Sequence, residues 1–170
     1  KYWKFFVIFW SVVLVGIIGV FVFFWLISAG KLGFMPTFEE LENPNNRFAS
    51  EVYFADGPIM NRYFEKENRK YIEYREIPQS VIDALIATED VRFYDHSGVD
   101  VRGLFRVAKG LLTANTSAGG GSTISQQLAK MLFPRESDLN VFELAIRKFR
   151  EWVIAVRLEK SYTKEEILTM

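Results

Sequence analysis

Residues 87–100 read A-T-E-D-V-R-F-Y-D-H-S-G-V-D. The stretch closes one helical pattern, turns, and opens another. Upstream, Pro78 suits a first helical turn, and Val81, Ile82, Leu85 and Ile86 recur at helical spacing through Thr88. That helix delivers Glu89 at its end. A carboxylate there faces the negative end of the macrodipole, which disfavours its charged form and suits it to abstracting a proton. Asp95-His96-Ser97-Gly98 is turn chemistry, and Asp100 suits the N-cap of a helix over 101–112. Taken alone, the stretch is better explained by two solvated acids ending a helix, with His96, the sole histidine, as a hydrogen-bonded turn residue.

Leu104, Val107, Ala108 and Leu111 form the apolar stripe of the helix over 101–112. Arg102, Arg106 and Lys109 share another face, which is either solvated or meets anionic headgroups. Residues 113–121 (T-A-N-T-S-A-G-G-G) lead into S-T-I-S-Q-Q-L-A-K over 122–130. Thr123 and Gln126 have capping-box spacing, so a helix starts here, and Pro134 stops it. The glycine-rich loop is a flexible linker or a phosphate site at a helix N-terminus. It is not a P-loop, because no Gly-Lys-Ser/Thr follows the glycines.

A long helix is expected over 139–160, with Leu144, Ala145, Phe149, Trp152, Val153 and Val156 as its apolar face. Arg147, Lys148 and Glu151 fall together on it. Arg147 and Glu151 form an intrahelical ion pair, or the cations form a clamp beside a second carboxylate. Two carboxylates with clustered Lys and Arg suit transfer of a sugar from a phosphate leaving group.

Residues 5–30 carry no charge and are long enough to span a bilayer. Lys1 and Lys4 precede the run and Lys31 follows, a weak bias toward a cytoplasmic N-terminus. Ser28-Ala29-Gly30 resembles a signal-peptidase site, but the apolar run is too long for a signal peptide, so an uncleaved anchor is expected. Residues 32–46, with Pro36 and Pro44, read as a linker. Residues 48–54 and 59–64 flank Asp56-Gly57 as a hairpin, 71–74 add a third strand, and together they form a structural collar. Lys and Arg total 21 against 21 Asp and Glu, which argues against nucleic-acid binding by bulk charge. The absence of cysteine excludes disulfides and thiolate metal sites.

Three strings in order, E-D-V-R-F-Y-D-H-S-G-V-D at 89–100, G-G-S-T-I-S-Q-Q-L-A-K at 120–130 and R-K-F-R-E-W at 147–152, resemble the first three motifs of family 51 peptidoglycan glycosyltransferases. The anchor, A-D-G at 55–57 and E-N-R at 67–69 resemble class A penicillin-binding proteins in particular. The resemblance covers nearly the whole chain and outweighs the bland readings of the separate pieces.

It implies a mainly α, lysozyme-like glycosyltransferase domain with a small β-hairpin region, preceded by one transmembrane helix. The expected division is an anchor over 1–30, a linker and β region over 31–77, and the glycosyltransferase domain over 78–170. The implied location is the cell (inner) membrane, single-pass, with the catalytic domain on the outer side. The implied ligands are lipid II and the growing glycan chain, with cell-wall synthesis proteins as further partners. By position within the motifs, Glu89 would deprotonate the acceptor hydroxyl and Glu151 would assist departure of the diphosphate. The one cofactor allowed for is a divalent cation, Mg or Mn, at Glu151. Lys130, Arg147 and Lys148 match positions that hold the diphosphate, and Asp90, Phe93, His96, Thr123 and Gln127 match positions that line or brace the cleft.

Two departures stand out. Met131 replaces the usual Asn after the motif lysine. The chain stops at K-E-E-I-L-T-M, where Lys164, Ile167 and Leu168 resemble the opening of a fourth motif, so the chain reads as a fragment of a longer protein. A lysozyme-like lytic enzyme and a non-catalytic membrane-anchored scaffold are the competing readings. The cations favour the polymerase, because a glycan-cleaving enzyme has no phosphate to hold.

Overall fold

The computed structural model describes residues 2–42, 49–64, 70, 72–113, 120–133 and 140–170. The sequence motif at 67–69, Pro134 and most of the loop over 113–121 lie outside the described residues. Helix α1, Trp3–Ser28, is long and apolar enough to cross a membrane. Its 26 residues reach about 39 Å at 1.5 Å per residue. Only Ile27 on it is buried, while residues such as Phe21 (73% exposed) and Trp25 (65%) face outward. An apolar helix clad in exposed aromatics needs an apolar solvent.

The described part of the expected linker, residues 32–42, is not free chain. Thr37 and Glu40 form a capping box, Thr37 Oγ1 accepting the Glu40 N–H and Glu40 accepting the Thr37 N–H, and they start helix α2, Phe38–Glu42. Leu41 is fully buried, and the Tyr162 hydroxyl donates to its carbonyl. The segment after α1 is therefore strapped to the core.

Strands β1, Ser50–Tyr53, and β2, Ile59–Tyr63, pair antiparallel, Ser50 opposite Tyr63 and Val52 opposite Asn61, with an irregularity at Tyr53. Among the described residues of 71–74, which exclude 71, the expected third strand does not form. Tyr74–Glu76 is a 3-10 turn instead, closed by a reciprocal Glu73–Glu76 capping box just before Pro78. Local side-chain capping offers this backbone more than a lone edge strand does.

Helices α3 (Gln79–Glu89), α4 (Val101–Leu112), α5 (Ile124–Leu132), α6 (Val141–Ser161) and α7 (Lys164–Thr169) build the domain. Asp100 caps α4 by accepting the Gly103 N–H. Thr123 caps α5 through the Gln126 N–H, but the Gln126 side chain does not reach back as a capping box would: it donates to the carbonyl of Gly98. Asn140 caps α6 in a reciprocal box with Glu143. Leu41, Phe93, Ile124, Leu128, Ala129, Ile154, Leu158 and Ile167 form one buried cluster around the α5–α6 contact. Leu144 and Ala145, expected on the apolar face of α6, are exposed near its first turn. Phe149 instead packs its ring against Phe23 and Phe24 of α1, at 5.3 and 5.7 Å between centroids. The apolar side of α6 thus serves two partners, the core and the apolar helix.

Gly98 has φ +91°, and a Cβ there would lie 2.7 Å from the backbone of Ala155 in α6. Its carbonyl accepts from both Thr123 and Gln126. Gly98→Ala therefore carries left-handed strain and a backbone collision together, a loss of at least about 2 kcal/mol. Thermal unfolding of the full-length protein in detergent should show a lower midpoint; an unchanged midpoint would mean the turn is not packed as described.

Candidate active site

The site begins where α3 ends. Glu89 is its last residue and stays exposed, while its neighbour Asp90 turns inward with a side chain only 3% exposed. Asp90 accepts the Ile124 N–H at 3.1 Å and lies 3.0 Å from His96 Nε2. This contact requires the imidazole proton on Nε2. A buried carboxylate without such donors would cost several kcal/mol. The two contacts dock the first turn of α5 against the end of α3.

Docking sets what α5 can present. Ile124, Ser125, Leu128 and Ala129 are buried, so Gln127 and Lys130, one turn apart, share the opposite side. Gln127 Nε2 donates to Glu89 Oε2. Lys130 Nζ stands 4.0 Å from Glu151 Oε2 on α6. Lys148 Nζ lies 3.0 Å from the same oxygen and donates to Ser122 Oγ at 2.9 Å. Glu151 thus sits among ammonium groups. Its close partner on α6 is Lys148 rather than Arg147.

Two hollows result. A cleft of about 360 Å³ is lined by Glu89, Asp90, Arg92, Asp100, Thr123 and Gln127 among others. A second, of about 210 Å³, is lined by Lys130, Leu144, Arg147, Lys148 and Glu151. The sequence-derived residues Glu89, Asp90, Thr123 and Gln127 meet in the first, and Lys130, Arg147, Lys148 and Glu151 in the second. Phe93 and His96 stand behind them. Phe93 is fully buried, with Lys164 Nζ 4.2 Å from its ring centroid, and the His96 side chain is 8% exposed. Both brace the site. Met131 is largely exposed, at 58%.

Several contacts are not evident from sequence, although Lys164 belongs to the fourth-motif resemblance. Ser122 holds Lys148. Lys164 donates to the His96 carbonyl at 2.7 Å and pairs with Glu159, which also accepts from Ser125. Arg92 Nη2 pairs with Asp100 across the cleft wall at 2.5 Å. An arginine three residues before a turn gives no sequence signal for its partner, because the partner is chosen by the turn.

The family model described as Transglycosylase matches residues 56–170. The chain belongs to the transglycosylase family. Among similar proteins, penicillin-binding protein 1A of Escherichia coli (strain K12) is 38% identical over 136 residues, which cover 80% of this chain and 15% of that protein. Penicillin-binding protein 1A of Neisseria gonorrhoeae is 34% identical over 136 residues, 80% of this chain and 16% of that protein. Penicillin-binding protein 1A of Haemophilus influenzae is 37% identical over 145 residues, 85% of this chain and 16% of that protein. The chain spans about 15–16% of the length of these relatives. The transglycosylase match contains both hollows and all three motifs, as the resemblance implied. It begins within the β1–β2 connection, upstream of α3.

In this chain the guanidinium of Arg92 holds the Asp100 carboxyl below its ordinary value near 3.8; burial opposes this and the Gly103 N–H adds to it. A depressed folded value stabilises the protein above the unfolded value and ceases to do so as pH falls through the folded one. Asn caps a helix as well as Asp, so Asp100→Asn isolates the charge. The variant should lose about 1–2 kcal/mol at pH 7, and the gap to wild type should narrow as pH falls below 3.8 and through the depressed folded value. Urea unfolding across that range measures it; a pH-independent gap would contradict the ion pair.

Proposed function

We propose that this chain is the catalytic region of a peptidoglycan glycosyltransferase that polymerises lipid II on the outer side of the cell membrane. The observation that carries the reading is the double duty of α5: Gln127 engages a rim carboxylate at one hollow, and Lys130 joins a cation cluster at the other. A base and a diphosphate site held by one short helix are what glycosyl transfer from a polyprenyl diphosphate needs. The lytic alternative leaves Lys130, Arg147 and Lys148 without a task.

In this reading lipid II enters as acceptor over the Glu89 cleft. The Gln127 amide fixes one Glu89 oxygen, and the other takes the proton of the acceptor 4-hydroxyl. The hydroxyl oxygen attacks the donor anomeric carbon as the bond from that carbon to the diphosphate oxygen breaks. The electron pair leaves on the diphosphate, and the configuration inverts to a β-1,4 bond. Lys130, Lys148 and Arg147 offset the charge that develops on the leaving group. Glu151 keeps the two lysine ammoniums converged before the substrate arrives.

The residues around Glu151 make a poor ready-made cage for Mg or Mn. Its carboxylate is flanked by two ammonium groups, and the described residues contain no cluster of three or more His, Cys, Asp or Glu ligands.

Labelled lipid II supplied to the full-length protein tests the proposal. Wild type should yield glycan polymer, and Glu89→Gln should slow it by about 10²–10⁴-fold. Polymer formed equally fast by Glu89→Gln removes Glu89 as base, and cleavage of finished glycan by wild type would favour the lytic reading. Lys130→Ala should weaken binding of the donor diphosphate by about tenfold or more, read by titration with a labelled polyprenyl diphosphate. Unchanged affinity would take Lys130 out of the site.

A further inference from the structure

A third hollow lies away from both glutamates, between α1 and α6, with a volume of about 400 Å³. Its apolar wall is Phe24, Trp152, Val153 and Val156, and its polar end is Ser28, Arg157 and Lys160. Nothing in the glycosyl-transfer reading uses it. We propose that it binds one anionic phospholipid of the bilayer that α1 spans. The proposal rests on α1 spanning a bilayer and not on the reaction at Glu89.

The placement argues for the occupant. One wall of the groove is the apolar helix itself, so its ligand must live at that depth. Ser28 is the last residue of α1, which sets the polar end of the groove at the level of headgroups. Phe24 lies about 6 Å deeper, one helical turn back. A phospholipid matches this layout, with a phosphate at the polar end and an acyl chain along the aromatic and valine wall.

The polar end is also held in shape. Arg157 Nη2 donates to the Ser28 carbonyl and hydroxyl at 2.9 and 2.7 Å, and Nη1 donates to the Pro36 carbonyl at 3.1 Å. Arg157 thereby ties the end of α1 to α6. Lys160 stands exposed on the last turn of α6, where its ammonium can meet a phosphate. The indole N–H of Trp152 is buried in the same wall with no acceptor among the described residues. Two cations suit a single phosphodiester. A polyprenyl diphosphate carries more charge and finds three cations at the second hollow.

The test uses full-length protein in nanodiscs of phosphatidylcholine with or without phosphatidylglycerol. The probe is phosphatidylglycerol bearing a photoreactive group on its acyl chain, and labelled peptides are read by mass spectrometry. Labelling should concentrate on residues 152–160. It should fall about fivefold in Lys160→Gln, the loss expected for one cation at an anionic surface. Val156→Trp, which fills the groove, should lower it further, and Lys130→Ala should leave it unchanged. Equal labelling by a zwitterionic probe, or no fall in Lys160→Gln, overturns the site. So does displacement of the probe by stoichiometric polyprenyl diphosphate, which would make the groove a substrate site. Labelling of α1 by the bulk lipid separates these outcomes from a failure of α1 to span the bilayer.

Discussion

The buried carboxylate of Asp90 joins pieces of chain that are 34 residues apart. It receives the Ile124 N–H from the start of α5 and the Nε2 proton of His96 from the turn after α3. A carboxylate in that position is tolerable only with such donors, and the positive end of α5 adds to them. The requirement is mutual: α5 needs an acceptor for a buried N–H, and Asp90 needs donors. The position of Glu89, one residue before Asp90, follows from that fixed point. So does the outward aim of Gln127 and Lys130, because the inward side of α5 is committed to the core.

From there the electrostatics separate in space. The Glu89 hollow is lined by Glu89 and Asp90, by the Arg92–Asp100 pair and by Arg106, which donates to the Gly120 carbonyl. The Glu151 hollow gathers three cations around one carboxylate, leaving a local excess of positive charge. Ser122 contributes by holding Lys148, so the residue that ends the glycine-rich loop also positions a cation. The apolar helix meets the same frame through α6, whose Phe149 packs on α1 two residues before Glu151.

Much of this was legible in the chain because capping and periodicity are local. The start of α5 at Thr123, the cap at Asp100 and the long apolar run of α1 each follow from residues within one or two turns. The motif strings brought Glu89, Lys130, Lys148 and Glu151 forward as a set, and the structure does bring them to neighbouring hollows. What was not legible depended on distant choices. The capping box at Thr37–Glu40 was present in sequence, yet two prolines made the segment read as a linker. Tyr74 had strand propensity but no neighbouring strand to pair with, and Glu73 and Glu76 closed a turn instead. Leu144 fits the helical stripe of α6 but lies before the point where α5 covers it. Gly98 looks like an ordinary turn glycine, and only the approach of Ala155 shows why nothing larger fits.

The proposed reaction requires that α5 separate a base from a diphosphate site. A structure of the full-length protein bound to a non-reactive polyprenyl diphosphate sugar analogue tests it most directly. Phosphate oxygens should lie within hydrogen-bond distance of Lys130 and Lys148, with the sugar directed toward Glu89. A diphosphate bound elsewhere, or bound with the sugar directed away from Glu89, would contradict it.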